Sequence, residues 1–215
     1  MKIVKASAEI IAATLQIEQL LELAGRVCYK SEDRITEDSA SSFIARMLDS
    51  KHESVLEHAA ITVRFICDRG VSHELVRHRL ASFSQESTRY VNYSKGKFGS
   101  EITVIEPCFW PSTSHEYNIW KQACEHAEMV YMSLVNSQST PQEARSVLPN
   151  SLKTEVIVTA NTREWRHIFK LRCSKQAHPQ MREIMLPLLD EFNKSWPSLF
   201  ADIVVILNKE NKYGN

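Results

Sequence analysis

Residues 59–90 read AAITVRFICDRGVSHELVRHRLASFSQESTRY, and the start of this stretch sets the framework of the fold. Apolar side chains occupy every second position from Ala59 to Cys67, whereas Thr62 and Arg64 fall on the opposite face, so the segment is predicted to be a half-buried strand. Gly70 permits a turn into a short helix. The stretch therefore predicts a strand, a turn and a helix that lead into a polar segment at residues 77–90.

The rest of the chain alternates between strand and helix patterns. Residues 1–6 and 154–160 are predicted strands, and Ser7 is predicted to cap a helix that runs to Val27. Further helices are expected after Thr36, over 112–139, from the capping-box pattern at Asn161, around Pro187, and through Leu207. We therefore expect one α+β domain over residues 1–215, in which an antiparallel or mixed sheet packs with several helices and residues 208–215 fray.

Composition excludes several classes of protein. The chain of 215 residues holds 26 Lys and Arg against 26 Asp and Glu, which argues against bulk nucleic-acid binding. The five scattered cysteines include no Cys-x-x-Cys pair, a pattern typical of reduced cytoplasmic proteins. We find neither a signal peptide nor an apolar run of membrane-spanning length, so a cytoplasmic protein without a membrane partner is expected.

The segment 77–90 concentrates three arginines and one histidine beside four hydroxyl groups and an amide. A guanidinium binds phosphate or carboxylate through a planar fork of donors, so the segment suits a multiply anionic small molecule. A solvated basic turn that pairs with surface acids would have the same composition. The chain has only five glycines and no Gly-x-Gly-x-x-Gly, so a dinucleotide would need side-chain cations for its pyrophosphate.

The order of these residues resembles the signature of the flavin-dependent thymidylate synthases, which is Arg-His-Arg, seven residues and Ser. Here it is formed by Arg77, His78, Arg79 and Ser87. Further blocks occur in the family's order over about residues 20–195. They are His52-Glu53-Ser54, Glu57-His58, Arg89-Tyr90, Ala144-Arg145, Asn161-Thr162-Arg163 and Leu171-Arg172.

The resemblance implies reductive methylation of dUMP to dTMP. It also implies FAD as the hydride relay, 5,10-methylenetetrahydrofolate as the carbon donor and NADPH as the reductant. Sites shared between the subunits of a homotetramer are implied as well. Two other functions remain open from the residues alone: a non-catalytic nucleotide- or RNA-binding module, and a flavin oxidoreductase that methylates nothing.

The resemblance also implies roles for individual residues. The side chains that would bind dUMP are Glu74, Arg77, Gln85, Glu86, Ser87, Thr88, Arg89, Arg145 and Arg172. Those that would contact FAD are His52, Ser54, Arg77, His78, Arg79, Gln85, Asn161, Thr162, Arg163 and His167. Arg172 is expected to carry catalysis, because a cation beside the pyrimidine stabilises charge that develops there. From its sequence position alone, Arg172 could equally pair with an acid at a helix end.

Two other patterns have competing interpretations. Ser87 has no assignable activating partner, so we expect it to donate to phosphate and not to act as a nucleophile. His52 and His58 beside two glutamates could suggest a metal site, but their spacing is not that of a metallohydrolase helix. We therefore predict no metal, and a packed position for His58 at the start of the strand.

The sequence departs from the family pattern at three positions. Glu74 stands where a glutamine is frequent, and a carboxylate beside a dianion is repelled unless an arginine offsets it. His167 replaces a common asparagine, and Gln176 stands where some members have histidine. These differences concern individual contacts and leave the implied reaction unchanged.

Overall fold

The computed structural model of the protein describes residues 1–94 and 99–213. Its strands are β1 (Lys2–Val4), β2 (Ser7–Ala13), β3 (Ala60–Asp68), β4 (Ala81–Gln85), β5 (Thr103–Ile105) and β6 (Lys153–Asn161). Its α-helices are α1 (Ile17–Val27), α2 (Ser39–Asp49), α3 (Arg69–Leu75), α4 (His115–Asn136), α5 (Pro141–Ala144), α6 (Thr162–Arg172), α7 (Pro179–Ser195) and α8 (Pro197–Tyr213). The 3₁₀ turns are Glu32–Arg34, Glu53–His58 and Arg145–Val147. The predicted α+β class is confirmed.

The main sheet has the strand order β2-β3-β6-β4. The Thr14 amide donates to the Ala60 carbonyl, so the end of β2 lies at the start of β3. The Thr162 amide donates to the Ala59 carbonyl, so the end of β6 also lies there. Both neighbours of β3 therefore run antiparallel to it. In a separate two-stranded sheet, β1 pairs in parallel with β5.

The predicted faces of β3 are confirmed. Ala59, Ile61, Val63, Phe65 and Cys67 are all buried. The opposite face is polar: the Thr62 hydroxyl lies 2.9 Å from that of Thr159 on β6, and Arg64 pairs with Glu9 on β2. A strand that is apolar on one face and polar on the other explains the alternation seen in the sequence.

The chain divides into two compact units that interleave along the sequence. The first unit comprises Met1–Ser7, Phe65–Arg77 and Ser84–Val156, and the second comprises Ala8–Arg64, His78–Phe83 and Ile157–Asn215. A core of buried residues in the first unit packs α4 beside β5, and its members are Tyr93, Ile102, Val104, Cys124, Tyr131, Ala144 and Leu152. The single domain expected from the sequence remains a prediction.

The core of the second unit is largely aromatic. The ring centroids of Trp165 and Phe169 on α6 lie 5.2 and 5.0 Å from that of Phe192 on α7, and Phe200 on α8 completes the cluster. The indole nitrogen of Trp165 donates to the Ile61 carbonyl, so the only polar atom of this buried side chain is satisfied. These contacts fix α6, which carries several candidate site residues.

The helix predicted to begin at Ser7 is wrong. Residues 7–13 form β2, and α1 begins ten residues later at Ile17, after Gln16 in a left-handed conformation (φ 48°). Backbone pairing with β3 outweighs the helical spacing of Ile10 and its neighbours. The helix still ends at Val27, as predicted, and this side chain is 46% exposed.

Most other predicted elements are confirmed, with changed ends. Helices α2, α4, α6 and α7 and strands β1 and β6 occupy the expected segments. Asn161 caps α6 by accepting from the Glu164 amide, and Pro187 lies inside α7. The final helix continues through Tyr213; residues 214–215 lie outside the described part of the chain, so the frayed tail remains a prediction. No helix in the described part is both long and apolar enough to cross a membrane.

Candidate functional site

The signature segment 77–90 is not a simple basic turn. Strand β4 occupies its centre, and the boundary between the two units crosses it twice. Arg77 and residues 84–90 belong to the first unit, whereas residues 78–83 belong to the second. The candidate residues therefore fall into two groups, one in each unit.

In the second unit, His78 is the centre of a polar chain. Its Nδ1 lies 3.2 Å from the Glu164 carboxylate, and its Nε2 accepts a hydrogen bond of 3.0 Å from Nε of Arg172. The ring of His167 packs against His78 edge to face, with centroids 5.7 Å apart. His78 and Glu164 are buried, with 4% and 6% of their surfaces exposed. We call these four residues the His78 cluster.

Burial controls the protonation of this cluster. Desolvation lowers the pKa of His78 to about 4, and the charges of Arg172 and His167 act in the same direction. Desolvation also raises the pKa of the Glu164 carboxyl, although His167 opposes this shift. A neutral His78 whose Nε2 accepts from Arg172 carries its proton on Nδ1, so it donates to Glu164.

Three members of the cluster have the donor atoms of a metal site. The ligand atoms of His78, Glu164 and His167 lie within 4.8 Å of one another. An ion on Nδ1 of His78 would require the ring proton on Nε2, where Arg172 already donates. The adjacent guanidinium charge opposes a divalent cation as well. The chemistry therefore favours the hydrogen-bonded chain over a metal site. Within the described residues, His52 and His58 belong to no group of potential metal ligands.

A cavity of about 560 Å³ adjoins the cluster within the second unit. Its lining combines cations and acids: Glu53, Glu57, Leu80, Asn161, Arg163, Glu164, Arg166, His167 and Lys170. Arg163 is exposed and pairs with Glu57 at 2.6 Å and Glu53 at 3.5 Å. Arg166 is buried and binds both carboxylate oxygens of Asp202, so its role is structural.

The other predicted FAD residues of the second unit differ in how far their side chains are exposed. Thr162 is fully buried, and its hydroxyl donates to the Leu56 carbonyl. His52 and Ser54 are exposed, as is Arg79. His58 is also exposed, so the packed position predicted for it is wrong: the 3₁₀ turn buries Leu56 and leaves His58 on its outer side.

In the first unit, a pocket of about 460 Å³ collects cations, and none of the described residues that line it is an acid. We call it the arginine pocket. Its lining residues are Arg69, His73, Thr88, Gln142, Arg145, Ser146, Leu148, Asn150 and Leu152. Two guanidiniums beside hydroxyl groups and amides suit a phosphate or another small anion. Thr88 and Arg145 were predicted site residues, and the structure brings them together here.

Two other predicted dUMP residues hold the first unit together. Gln85 donates to the hydroxyls of Ser72 and Thr154 at 2.9 and 3.2 Å. The Glu86 carboxylate accepts from the Lys153 ammonium at 3.1 Å and from the Tyr93 hydroxyl at 3.2 Å. Desolvation, together with the Glu86 charge, raises the pKa of Tyr93. Glu86 therefore shares the Lys153 ammonium with Glu155, which lies 2.6 Å from it.

The remaining predicted residues of the first unit lie on its surface. The Arg89 amide donates to the Ser87 hydroxyl at 3.3 Å, and the Arg89 guanidinium lies over the Tyr90 ring. Glu74 is half-buried near the end of α3, and Arg77 is exposed just beyond it. Among the described residues, the ion pairs involve neither Arg77 nor Arg79, so both signature guanidiniums are available to an anion.

Sequence reasoning missed several residues of both groups. Glu164 was recognised only as part of a helix cap, and its carboxylate contact is visible only in three dimensions. Arg69 and His73 had a usable signal, because they are four residues apart on α3, directly after a strand. Gln142, Ser146 and Asn150 had no such signal.

The chain is similar to known proteins over most of its length. The family model described as thymidylate synthase complementing protein matches residues 9–198. A flavin-dependent thymidylate synthase of Geobacter sulfurreducens is 33% identical over 192 residues, covering 86% of this chain and 81% of the relative. The enzyme of the same name from Pyrococcus furiosus is 34% identical over 182 residues, covering 84% and 74%.

A solved structure supports the fold. It is the UMP/dUMP methylase PolB from Streptomyces cacaoi bound with 5-Br dUMP. The TM-score is 0.79 at 22% identity, and the alignment covers 95% of this chain and 97% of that one. At this identity the likeness concerns the fold alone.

Proposed function

The chain belongs to the family of flavin-dependent thymidylate synthases, and we propose that its two groups of side chains divide the reaction between nucleotide binding and ring activation. The protein is accordingly an enzyme that methylates dUMP to dTMP, with FAD as cofactor. Methylenetetrahydrofolate and NADPH are the co-substrates of this chemistry. The resident flavin, when bound, supplies the hydride relay.

The arginine pocket is the proposed place of the dUMP phosphate. Two of its lining residues were predicted from the family resemblance: Thr88 directly follows the signature residue Ser87, and Arg145 belongs to the Ala144-Arg145 block. The observation that carries this assignment is that the described lining residues include two guanidiniums and no carboxylate. Ser87 and Arg89 lie shortly after β4 and extend the donor set. The other predicted dUMP residues are Glu74, Arg77, Gln85, Glu86 and Arg172.

Arg172 is the proposed catalytic residue. Its guanidinium, beside the pyrimidine ring of dUMP, would stabilise negative charge that develops on the ring carbonyl and N3, which makes C6 a better hydride acceptor. The observation that supports this role is its hydrogen bond to the buried, neutral His78. Because His78 is neutral, this hydrogen bond orients the Arg172 guanidinium without neutralising its charge.

The residues present also suit FAD. The flavin dinucleotide carries a pyrophosphate, and Arg77 and Arg79 are exposed guanidiniums that no described carboxylate occupies. Asn161, Thr162, Arg163 and His167 begin α6 and are the proposed contacts to the remainder of FAD, together with His52, Ser54, His78 and Gln85. Arg163 would exchange its exposed pairs with Glu53 and Glu57 for the ligand.

Two assays test the reaction. The purified protein should be yellow, or become yellow when FAD is added, and it should release tritium from 5-tritiated dUMP when all co-substrates are present. A colourless protein that does not quench FAD fluorescence would contradict the flavoenzyme and favour a nucleotide- or RNA-binding module. A yellow protein that oxidises NADPH without tritium release would indicate an oxidoreductase that methylates nothing.

We further propose a cytoplasmic homotetramer with sites shared between subunits. Few glycines are available to wrap FAD in backbone amides, so side chains of several subunits would complete the site. None of the five cysteines forms a disulfide, and Cys28 and Cys108 are exposed, which suits a reducing compartment. The test is to mix inactive Arg89→Ala and Arg172→Ala enzymes. Recovered activity in mixed tetramers would support shared sites, and a fully active monomer would refute them.

A further inference from the structure

We propose that Glu164 is a positioning residue for the methylation reaction, which it serves by fixing the His78 imidazole that in turn orients the Arg172 guanidinium. The inference rests on the proposed role of Arg172 at the pyrimidine ring. Neither Glu164 nor the coupling through His78 follows from the signature itself, because Glu164 lies outside every block that resembles the family.

Glu164 and Arg172 are too far apart on α6 for direct contact. Glu164 is in the first turn of α6, and Arg172 is the last residue of that helix. Eight residues correspond to about 12 Å along a helix axis, so their functional groups need a bridge. His78 provides it, with 3.2 Å from Nδ1 to the carboxylate and 3.0 Å from Nε2 to Nε of Arg172.

Hydrogen-bond chemistry then fixes the direction of the chain. A guanidinium can only donate, so Nε2 of His78 must be the acceptor and cannot carry a proton. In the neutral ring the proton is therefore on Nδ1, where the Glu164 carboxylate accepts it. Burial and the Arg172 charge, which lower the pKa of His78, support this neutral form.

The Glu164 carboxylate has no competing role in the described part of the chain. Its only hydrogen-bond partner there is His78, whereas the capping of α6 uses the Glu164 amide and not its side chain. Glu164 is 6% exposed, so the pair is protected from water. Without this acceptor the imidazole could adopt the other tautomer or rotate, and Nε2 would no longer hold the guanidinium in one orientation.

The test uses two variants of the FAD-loaded enzyme. Glu164→Leu removes the acceptor, and Glu164→Gln keeps an acceptor oxygen without the charge. We expect kcat to fall about 10- to 100-fold in Glu164→Leu and less in Glu164→Gln, while KM for dUMP changes less than about 3-fold. Glu22→Gln is the matched control, because Glu22 is another buried carboxylate of the second unit, paired with Arg26. It should keep the wild-type kcat.

A spectroscopic measurement separates positioning from damage to the fold. Nitrogen-15 NMR of histidine-labelled enzyme, with His78 assigned from a His78→Gln spectrum, should show a protonated Nδ1 and an unprotonated Nε2 in the wild type. This pattern should be lost in Glu164→Leu and retained in Glu22→Gln. If Glu164→Leu does not fold, the Gln variant still reports both kcat and the shifts.

Several outcomes would overturn the inference. They are a wild-type His78 protonated on Nε2, a normal kcat in both Glu164 variants, or a loss of kcat with unchanged His78 shifts. The proposed catalytic role of Arg172 fails separately: Arg172→Ala would then keep wild-type turnover, whatever the His78 tautomer. The two failures are therefore distinguishable.

Discussion

The arginine pocket and the His78 cluster use the same side chain in different ways. In the pocket, Arg69 and Arg145 are surrounded by hydroxyl groups, amides and an imidazole, and the lining contains no carboxylate. In the cluster, Arg172 is tied through a neutral histidine to a buried carboxylate. The first arrangement presents positive charge to an incoming anion, whereas the second holds a single guanidinium in one orientation.

This difference has an electrostatic reason. An anion that binds through its phosphate gains from several cations at once, and small changes in their orientation cost little. A cation that stabilises charge developing on one ring must be fixed before the reaction, because reorganisation would add to the barrier. We therefore expect substitutions in the pocket to change binding, and substitutions in the cluster to change turnover.

The largest expected effect is that of Arg172→Ala. This variant should bind FAD and dUMP but lose about 10²- to 10³-fold in turnover, since one stabilising donor at a reacting group contributes that much. Oxidation of reduced flavin by the substrates should suffer more than flavin reduction by NADPH, as rapid-mixing absorbance would measure. Arg172→Lys, which keeps the charge without the Nε donor, is the matched comparison. Equal losses in both half-reactions would indicate a structural role.

The second prediction concerns stability at low pH. The pKa of His78 is lowered from 6.5 to about 4, so between these values the unfolded chain binds a proton that the native chain does not. The contribution of His78 to the free energy of unfolding is therefore fully present above pH 6.5. It is lost as the pH falls toward 4, by about 3 kcal/mol at most. Urea unfolding at several pH values should show a smaller fall in His78→Gln. The control His126→Gln, on the exposed side of α4, should follow the wild type. Parallel curves for all three proteins would contradict the buried neutral histidine.

The third prediction addresses the pocket. Arg145→Ala should weaken dUMP binding by about 1.5–3 kcal/mol, or roughly 10- to 150-fold, because a charge-assisted contact is lost. FAD binding should be retained, and Arg89→Ala should behave similarly. Calorimetric titration with dUMP measures the effect. Lys121→Ala, which removes an exposed cation of α4 in the same unit, is the control. Unchanged dUMP affinity in both arginine variants would remove the pocket from the nucleotide site.

The smallest expected effect is that of Ser87→Ala. Its hydroxyl already accepts from the Arg89 amide, and a hydroxyl donor to phosphate can be partly replaced by water. A loss of about 0.5–1.5 kcal/mol, or about 2- to 13-fold in kcat/KM, is expected. A covalent adduct of dUMP on Ser87, detected by mass spectrometry, would instead make this serine a nucleophile and would overturn the distinction between the two groups.

Prediction from the sequence succeeded where neighbouring residues decide the outcome. The two faces of β3 follow from local periodicity, and the Asn161 cap of α6 follows from capping chemistry. It failed at Ser7, where pairing with a strand more than 45 residues away overrides local spacing. It also failed at His58, because a 3₁₀ turn decides which side chain faces inward.

The sequence by itself determined the family, the signature residues and most strand and helix segments, because the type and spacing of residues are properties of the chain alone. Only the tertiary structure decided the ionic partners. Glu164 lies 86 residues from His78, Arg172 lies 94 residues from it, and Glu57 lies 106 residues from Arg163. Such pairing depends on distance and desolvation in three dimensions. For that reason the sequence predicts Arg172 as a cation at the substrate, but it gives no sign of the buried Glu164 carboxylate that is linked to Arg172 through His78.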